Sequence, residues 1–475
     1  MRAETVAEQP ERIEDATIRP IPDGERHGKA RDLFTIWFGS NIMMLTIVTG
    51  ALATTVYGQP FWAALIAIVI GNLVGAIFMA LHSAQGPRLG VPQMVQTRGQ
   101  FGSYGSLLVV VLVIVMYLGF FASNLVLGGQ SLATMSSHIG TNDGIIIVGV
   151  VSVIAAIFGY DLIHAYTRVM SYLSAAVLLL TFIWMVAVHH LPATFLTSGH
   201  LSAAGFMSTI STAALWQIAY APYVSDYSRY MPRNTGARPA YWASYTGCTI
   251  GSIVPMILGA MIGLVVVGGD VVSGLTTVTR GISVLVVVVF SVGIAATNAM
   301  NLYCGTLSTL TVGQTVRPRW APRARSRAVT AIVLFGAALA AALLGQSNFL
   351  VNYENFIDLL LYVLVPWTAV NLVDYYLVQH GDYAVDDFFR ADGGRYGRAN
   401  WVAIGCYLLG ILVQLPFMVT TLYTGPIGSA LHGVDLSWIA GLVVVSPVYY
   451  FTAKRFRRRT TPTPGLMMAV PGQPS

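Results

Sequence analysis

Apolar runs of about twenty residues recur along almost all of this 475-residue chain, and each can cross a hydrocarbon core roughly 30 Å thick. Inside that core no water is present to bond the backbone, so only α-helices and closed barrels span it. Composition points the same way: 55% of residues are apolar, 10% are charged and mean hydropathy is +0.67. A soluble domain carries roughly 25% charged residues. The sequence predicts an all-α integral membrane protein. Its formal charge of +6 does not imply a nucleic-acid partner, because the basic residues lie between the apolar runs. Cys248, Cys304 and Cys406 sit inside apolar segments, so no disulfide framework, metal motif or cofactor is implied. No cleavable signal peptide is visible; the first 31 residues are polar and the first apolar run is a full span.

Twelve spans are expected, near residues 35–57, 60–82, 106–134, 144–159, 166–189, 206–226, 242–267, 281–314, 328–346, 357–379, 400–423 and 436–453. With the N-terminus inside, 25 of the 26 Lys and Arg fall on one side, including Arg88, Arg98, Arg168 and the loops at 229–238, 317–327 and 390–398. Only Arg280 falls outside. Positive-inside bias of this strength predicts a multi-pass cell-membrane protein with both termini cytoplasmic.

One span is unlike the rest. Residues 213–230 read AALWQIAYAPYVSDYSRY. Pro222 lacks a backbone N–H and biases the residue before it away from helical angles. Trp216, Gln217, Tyr220 and Tyr223 gather aromatic and amide groups beside it. Broken backbone at membrane depth survives where protein or a cavity satisfies it, and such spans mark transporter substrate sites. The competing reading is a Pro-kinked structural helix. Span 1 carries Gly39, Ser40, Asn41, Thr46, Thr49 and Gly50, a set suited to close packing or to inward-turned carbonyls. On span 3, Tyr117, Phe120, Phe121 and Asn124 fall at i, i+3, i+4 and i+7. Span 8 offers Thr297, Asn298 and Asn301. Aromatic faces with nearby amides suit a flat heterocycle, and stacking one base is worth about 1–3 kcal/mol. Each residue has a plainer reading. Tyr117 can be packing, Gln217 can be satisfied by a neighbour, and Asn301 can bond another helix.

Four motifs carry a resemblance: GPRLGVPQMVQTRGQFG (86–102), APYVSDYSRYMP (221–232), NLYCGTLS (301–308) and PWTAVNLVDYYLV (366–378). Together they resemble the nucleobase–cation symporters, specifically the purine–cytosine permease branch. The resemblance implies a LeuT-like fold of two inverted five-helix repeats plus two C-terminal helices. Here these would be 35–189 and 206–379, then 400–453, flanked by cytoplasmic tails 1–34 and 454–475. It further implies breaks in spans 1 and 6, with the substrate between them and spans 3 and 8. By position, Tyr117 and Tyr220 would sandwich the ring, and Asn301 matches the family's substrate-binding asparagine. Phe121, Asn124, Trp216, Gln217 and Asn298 complete the expected site, with Asn301, Gln217 and Tyr117 lining one shared cavity. Asp226 and Arg229 are expected at the cytoplasmic end as a gate or ion pair.

Sodium-coupled relatives place two hydroxyls where this chain has Ala295 and Ala296, and alanine offers a hard cation no oxygen. Thr297 lies one residue out of register. Proton coupling is therefore expected, with Asp358 on span 10 as the candidate carrier, since carboxylates at membrane depth default to function. The expected activity is import of a nucleobase, cytosine, a purine or a related ring, with H+ in preference to Na+, by alternating access. The bundle of spans 1, 2, 6 and 7 would rock against a scaffold containing 3, 4, 8 and 9. Alternatives are a sodium-coupled carrier of allantoin, hydantoin or a vitamin-like ring, or a non-transporting sensor on the same scaffold. An enzyme would need His, Asp or Glu clustered at one depth, and the nine histidines are dispersed. A channel would need repeated pore-lining rings, and none occurs.

Overall fold

The computed structural model describes residues 18–158, 160–189, 191–234, 236–266 and 270–460, without the side chains of 155–168 and 457–460. Much of the two expected tails, and the side chain of Arg168, lie outside the described residues. Those described are almost wholly helical, with one isolated antiparallel bridge between Val419 and Thr424.

The α-helices in chain order are α1 (Ala30–Asn41), α2 (Met44–Thr55), α3 (Phe61–Ser83), α4 (Gly86–Leu89), α5 (Gln93–Phe101) and α6 (Leu107–Met135). There follow α7 (Thr141–Phe158), α8 (Tyr160–Trp184), α9 (Ala203–Ile218), α10 (Ala221–Ser228), α11 (Ala237–Val265) and α12 (Val271–Val278). The last are α13 (Ser283–Val316), α14 (Ala324–Gly345), α15 (Phe349–Val373), α16 (Trp401–Gln414), α17 (Pro426–Ala430) and α18 (Ser437–Thr460). By length and hydropathy six stretches could cross a bilayer, of which Ala324–Val378, at 55 residues, contains both α14 and α15. The bent pair α1 and α2 makes a seventh, and Thr141–Ile154 and Trp401–Phe417 are shorter apolar helices.

Both expected interruptions are present, and each has a local cause. Between α1 and α2 the chain turns by 58°, with Met43 fully extended at φ −147° and ψ 169°. Breaking a helix strips its last carbonyls of partners. Here the Asn41 amide and the Ser40 hydroxyl donate back to Trp37 O, at 2.6 and 3.4 Å. The second interruption is gentler and lies earlier than Pro222 suggests. Ala219 and Tyr220 form a turn in near-helical angles, and Ala221, the residue before the proline, already begins α10. Pro222 therefore occupies the first turn of α10, where its missing N–H would have had no intrahelical partner.

Two groups of helices pack within themselves. In one, α3 lies on α9 and α11 lies on α1, α2 and α3. In the other, α6, α7 and α14 surround α13, while α8 bridges the two groups, packing on both α1 and α13. The first group corresponds to spans 1, 2, 6 and 7, the second to spans 3, 4, 8 and 9. At the α2–α11 crossing the backbones touch: a Cβ on Gly50 would overlap the Met256 carbonyl, and one on Gly259 the Ile47 carbonyl. Glycine permits that approach and alanine would not. α15 packs on α16 and α18, and reaches α9 and α6.

Candidate functional site

The two interruptions and the two intact helices α6 and α13 meet around a small cavity. Met43 lines it from the first interruption, and Trp216, Ala219, Tyr220 and Tyr223 from the second. Phe120 and Asn124 contribute from α6, and Thr297 and Asn301 from α13. No lining side chain carries a formal charge, which favours an uncharged guest.

The walls are aromatic and mutually edge-on. Phe120 meets Trp216 at 6.2 Å between centroids, and Trp216 meets Tyr220 at 6.0 Å, with interplanar angles of 82° and 80°. Trp216 is fixed by donating its Nε1–H to Asn41 Oδ1 at 2.7 Å, which ties α9 to the end of α1. Asn41 Oδ1 also accepts from Ser252 Oγ at 2.8 Å. The polar groups are less well served. Asn124 is fully buried, yet neither atom of its amide has a hydrogen-bond partner among the described residues. Asn298 Nδ2, beside the cavity, is also without one. Most buried polar groups are paired, because an unpaired one costs about 1–3 kcal/mol.

Five of the expected residues therefore converge here: Asn124, Trp216, Tyr220, Thr297 and Asn301. Asn298 stands just behind, its Oδ1 3.5 Å from Asn301 Nδ2. The shared cavity expected for Asn301, Gln217 and Tyr117 is not what the structure has. Gln217 follows Trp216 by one residue, about 100° around the helix, and faces α3 and α11. Its Nε2 donates to Asn72 Oδ1 at 2.7 Å and Ser252 Oγ at 3.1 Å. Tyr117 lies two turns along α6 from Asn124 and forms a floor under the cavity. Its hydroxyl donates to Pro222 O at 2.9 Å and its ring packs edge-on to Tyr223 at 4.5 Å. Phe121 points away to a second small space between α6, α13 and α14, which Tyr117 and Asn301 also line. Asp358 on α15 is not among the lining residues.

Phe120, Met43 and Tyr223 are lining residues that the sequence-based assignment left out. Trp216, Ala219, Tyr220 and Tyr223 stand at i, i+3, i+4 and i+7, the signature of one helical face. That signal was available.

Beyond the floor, the motif at 86–102 forms α4 and α5 and is buried against α10, α13 and the segment after α15. Asp226 Oδ1 accepts from Gln93 N at 2.8 Å, while Arg229 donates to Asp226 O, Tyr230 and Tyr303. Arg98 is buried among neutral acceptors, Phe388 O, Thr311 O and Thr315 Oγ1, at 2.8–2.9 Å. A chain of bonds runs from Gln85 to Asn371 (2.8 Å), Gln100 (3.2 Å) and Tyr383 (3.0 Å). It ends on Asp374, which accepts from Tyr383 and, at 2.9 Å, from Tyr449. Asp374 opens a short π-helical turn, Asp374–Val378.

Two interrupted helices crossing two continuous ones around an uncharged cavity are the architecture of a helical membrane transporter. The chain belongs to the family of permeases for cytosine/purines, uracil, thiamine and allantoin, whose sequence profile matches residues 20–441. It is 40% identical over 454 residues to the putative purine-cytosine permease YxlA of Bacillus subtilis, covering 94% of this chain and 98% of that one. It is 24% identical to the purine-cytosine permease fcyB of Emericella nidulans, over 92% and 87% of the two chains. Among solved structures it resembles Mhp1, a nucleobase-cation-symport-1 family transporter, in a closed conformation with bromovinylhydantoin bound. That match has a TM-score of 0.76 and 20% identity, over 95% of this chain and 97% of that one. The fold is thus LeuT-like.

Proposed function

We propose that this chain imports a nucleobase, cytosine or a purine, across the cell membrane by symport with H+. One observation carries the reading. Asn124 holds an unpartnered amide, one donor edge and one acceptor edge, in an uncharged cavity walled by Phe120, Trp216 and Tyr220. A nucleobase supplies what that site lacks: a flat π-surface for the rings and alternating donors and acceptors for the amides. Its relatives named as purine-cytosine permeases support the same class. The twelve-span arrangement, with inverted repeats at 35–189 and 206–379 and cytoplasmic termini, belongs to this reading.

Proton coupling is supported by what stands between α13 and the first interruption. Ala295 and Ala296 supply no side-chain oxygen there. Thr297 Oγ1 instead reaches Ser40 O at 3.0 Å and Gly293 O at 3.2 Å, a direct tie where a sodium ion would need ligands. Asp358 is proposed as the carrier: it is a half-buried carboxylate on α15 and has no ion-pair partner among the described residues. Asp226 and Arg229, buried where α10 meets α5, are proposed as part of the cytoplasmic gate.

Uptake of radiolabelled cytosine, adenine, hypoxanthine, uracil and allantoin by cells expressing the protein tests the function. Accumulation is expected for a nucleobase, to persist without sodium and to collapse with a protonophore. No accumulation of any ring despite surface expression sinks the proposal. Asn301→Ala should abolish uptake while leaving folded protein, and Asp358→Asn should remove its dependence on external pH.

A further inference from the structure

Tyr223 does more than wall the cavity. Its hydroxyl donates to Asn301 Oδ1 at 2.6 Å, a short bond between α10 and α13, that is, between the two packed groups of helices. On its other side the Asn301 amide turns Nδ2 toward Asn298 Oδ1 at 3.5 Å. These two partners fix which way the amide faces: carbonyl to the phenol, NH2 to Asn298 and the cavity. The phenol itself cannot wander, because its ring is held edge-on by Tyr117 at 4.5 Å and against Tyr220 at 5.6 Å.

We infer that Tyr223, by holding Asn301 Oδ1, fixes the facing of that amide so that Asn301 offers its guest the Nδ2–H and selects ring edges bearing an acceptor nitrogen. The inference rests on the nucleobase reading and sharpens it. Cytosine presents an unprotonated ring N3 and adenine an unprotonated N1. Uracil and hypoxanthine carry N–H at the corresponding positions, which would meet the Nδ2–H as a second donor unless the amide turned over and gave up its bond to the phenol. Sites built to hydrogen-bond one pattern reject the mismatched one because buried groups are left unpaired. Tyr223 is thus a positioning residue that sets specificity through Asn301.

The test compares purified wild-type protein with Tyr223→Phe, which keeps the ring and removes only the hydroxyl. Equilibrium binding is measured for cytosine, uracil, adenine and hypoxanthine. The wild type should favour cytosine over uracil and adenine over hypoxanthine by about tenfold or more. Tyr223→Phe leaves the amide free to turn over and should shrink both ratios about fivefold or more; unchanged ratios overturn the inference. A ligand-free arm uses Cys304, which is buried three residues beyond Asn301 with Tyr227 Oη 4.0 Å from its sulfur. In a Cys248→Ala, Cys406→Ala background, loss of the α10–α13 bond should speed maleimide labelling of Cys304 about fivefold, and an unchanged rate counts against the bond. If the wild type binds none of the four bases, the nucleobase reading fails, and the labelling rate alone then decides whether the bond holds α10 to α13.

Discussion

Two buried polar regions of this molecule are built from the same side chains and finish differently. At the α5 end, Gln85, Asn371, Gln100, Tyr383 and Asp374 bond one another in an unbroken chain that crosses from α3 to α15 and α18. In the central cavity, Asn124 has neither amide atom paired and Asn298 lacks a partner for its NH2. Both regions lie within packed helices, so burial does not explain the difference. The first holds helices together through its own side chains, although Gln85 Oε1 and both amide atoms of Gln93 on α5 have no partner among the described residues. The second differs in that its bare Asn124 amide lines a cavity beside aromatic faces, where a guest could complete it.

Several variants would break that contrast if it is wrong. Asn124→Leu should weaken nucleobase binding by about 1–3 kcal/mol, roughly 5- to 150-fold in Kd, while leaving the thermal midpoint equal or higher, because it removes an unpaired group. Asn371→Leu should do the reverse. Stranding Gln85 and Gln100 should cost about 1–3 kcal/mol of stability, with Kd little changed. Swapped outcomes for this pair would end the distinction. Tyr220→Leu removes a stacking wall, and binding should weaken by up to about 1–3 kcal/mol with no change in which base is preferred. Gln217→Leu, facing Asn72 and Ser252 and not the cavity, should move Kd by less than about threefold while lowering the melting temperature. The smallest effect expected is that of sodium: replacing it with choline should leave both uptake and Kd unchanged.

Much of this was legible beforehand because membrane spans write their constraints in one dimension. Length and hydropathy gave the helices, and span 1, with its small and polar residues, is indeed interrupted. Asn124 was named for its place on the aromatic face of span 3 and Asn301 for its match to the family's asparagine, and both line the cavity. What the chain did not disclose was direction. Gln217 and Trp216 are neighbours in sequence, yet one faces α3 and α11 and the other the cavity. Only helix phase relative to the neighbours separates them. Tyr117 shares the face of Asn124 but sits two turns away, where Pro222 offers it a carbonyl. Tyr223 is named beside the break in the sequence but stands outside the expected site, although Pro222 does not end the helical register. A proline in a first turn does not do so, and the stripe from Trp216 to Tyr223 continues through it.

The glycine contact between α2 and α11 sets how such a protein can move. With Gly50 against Met256 and Gly259 against Ile47, there is no slack between the two backbones for one to slide along the other. In an alternating-access cycle the two would swing as a single lever, and the compliance such a cycle demands would fall to the joints at Met43 and Tyr220.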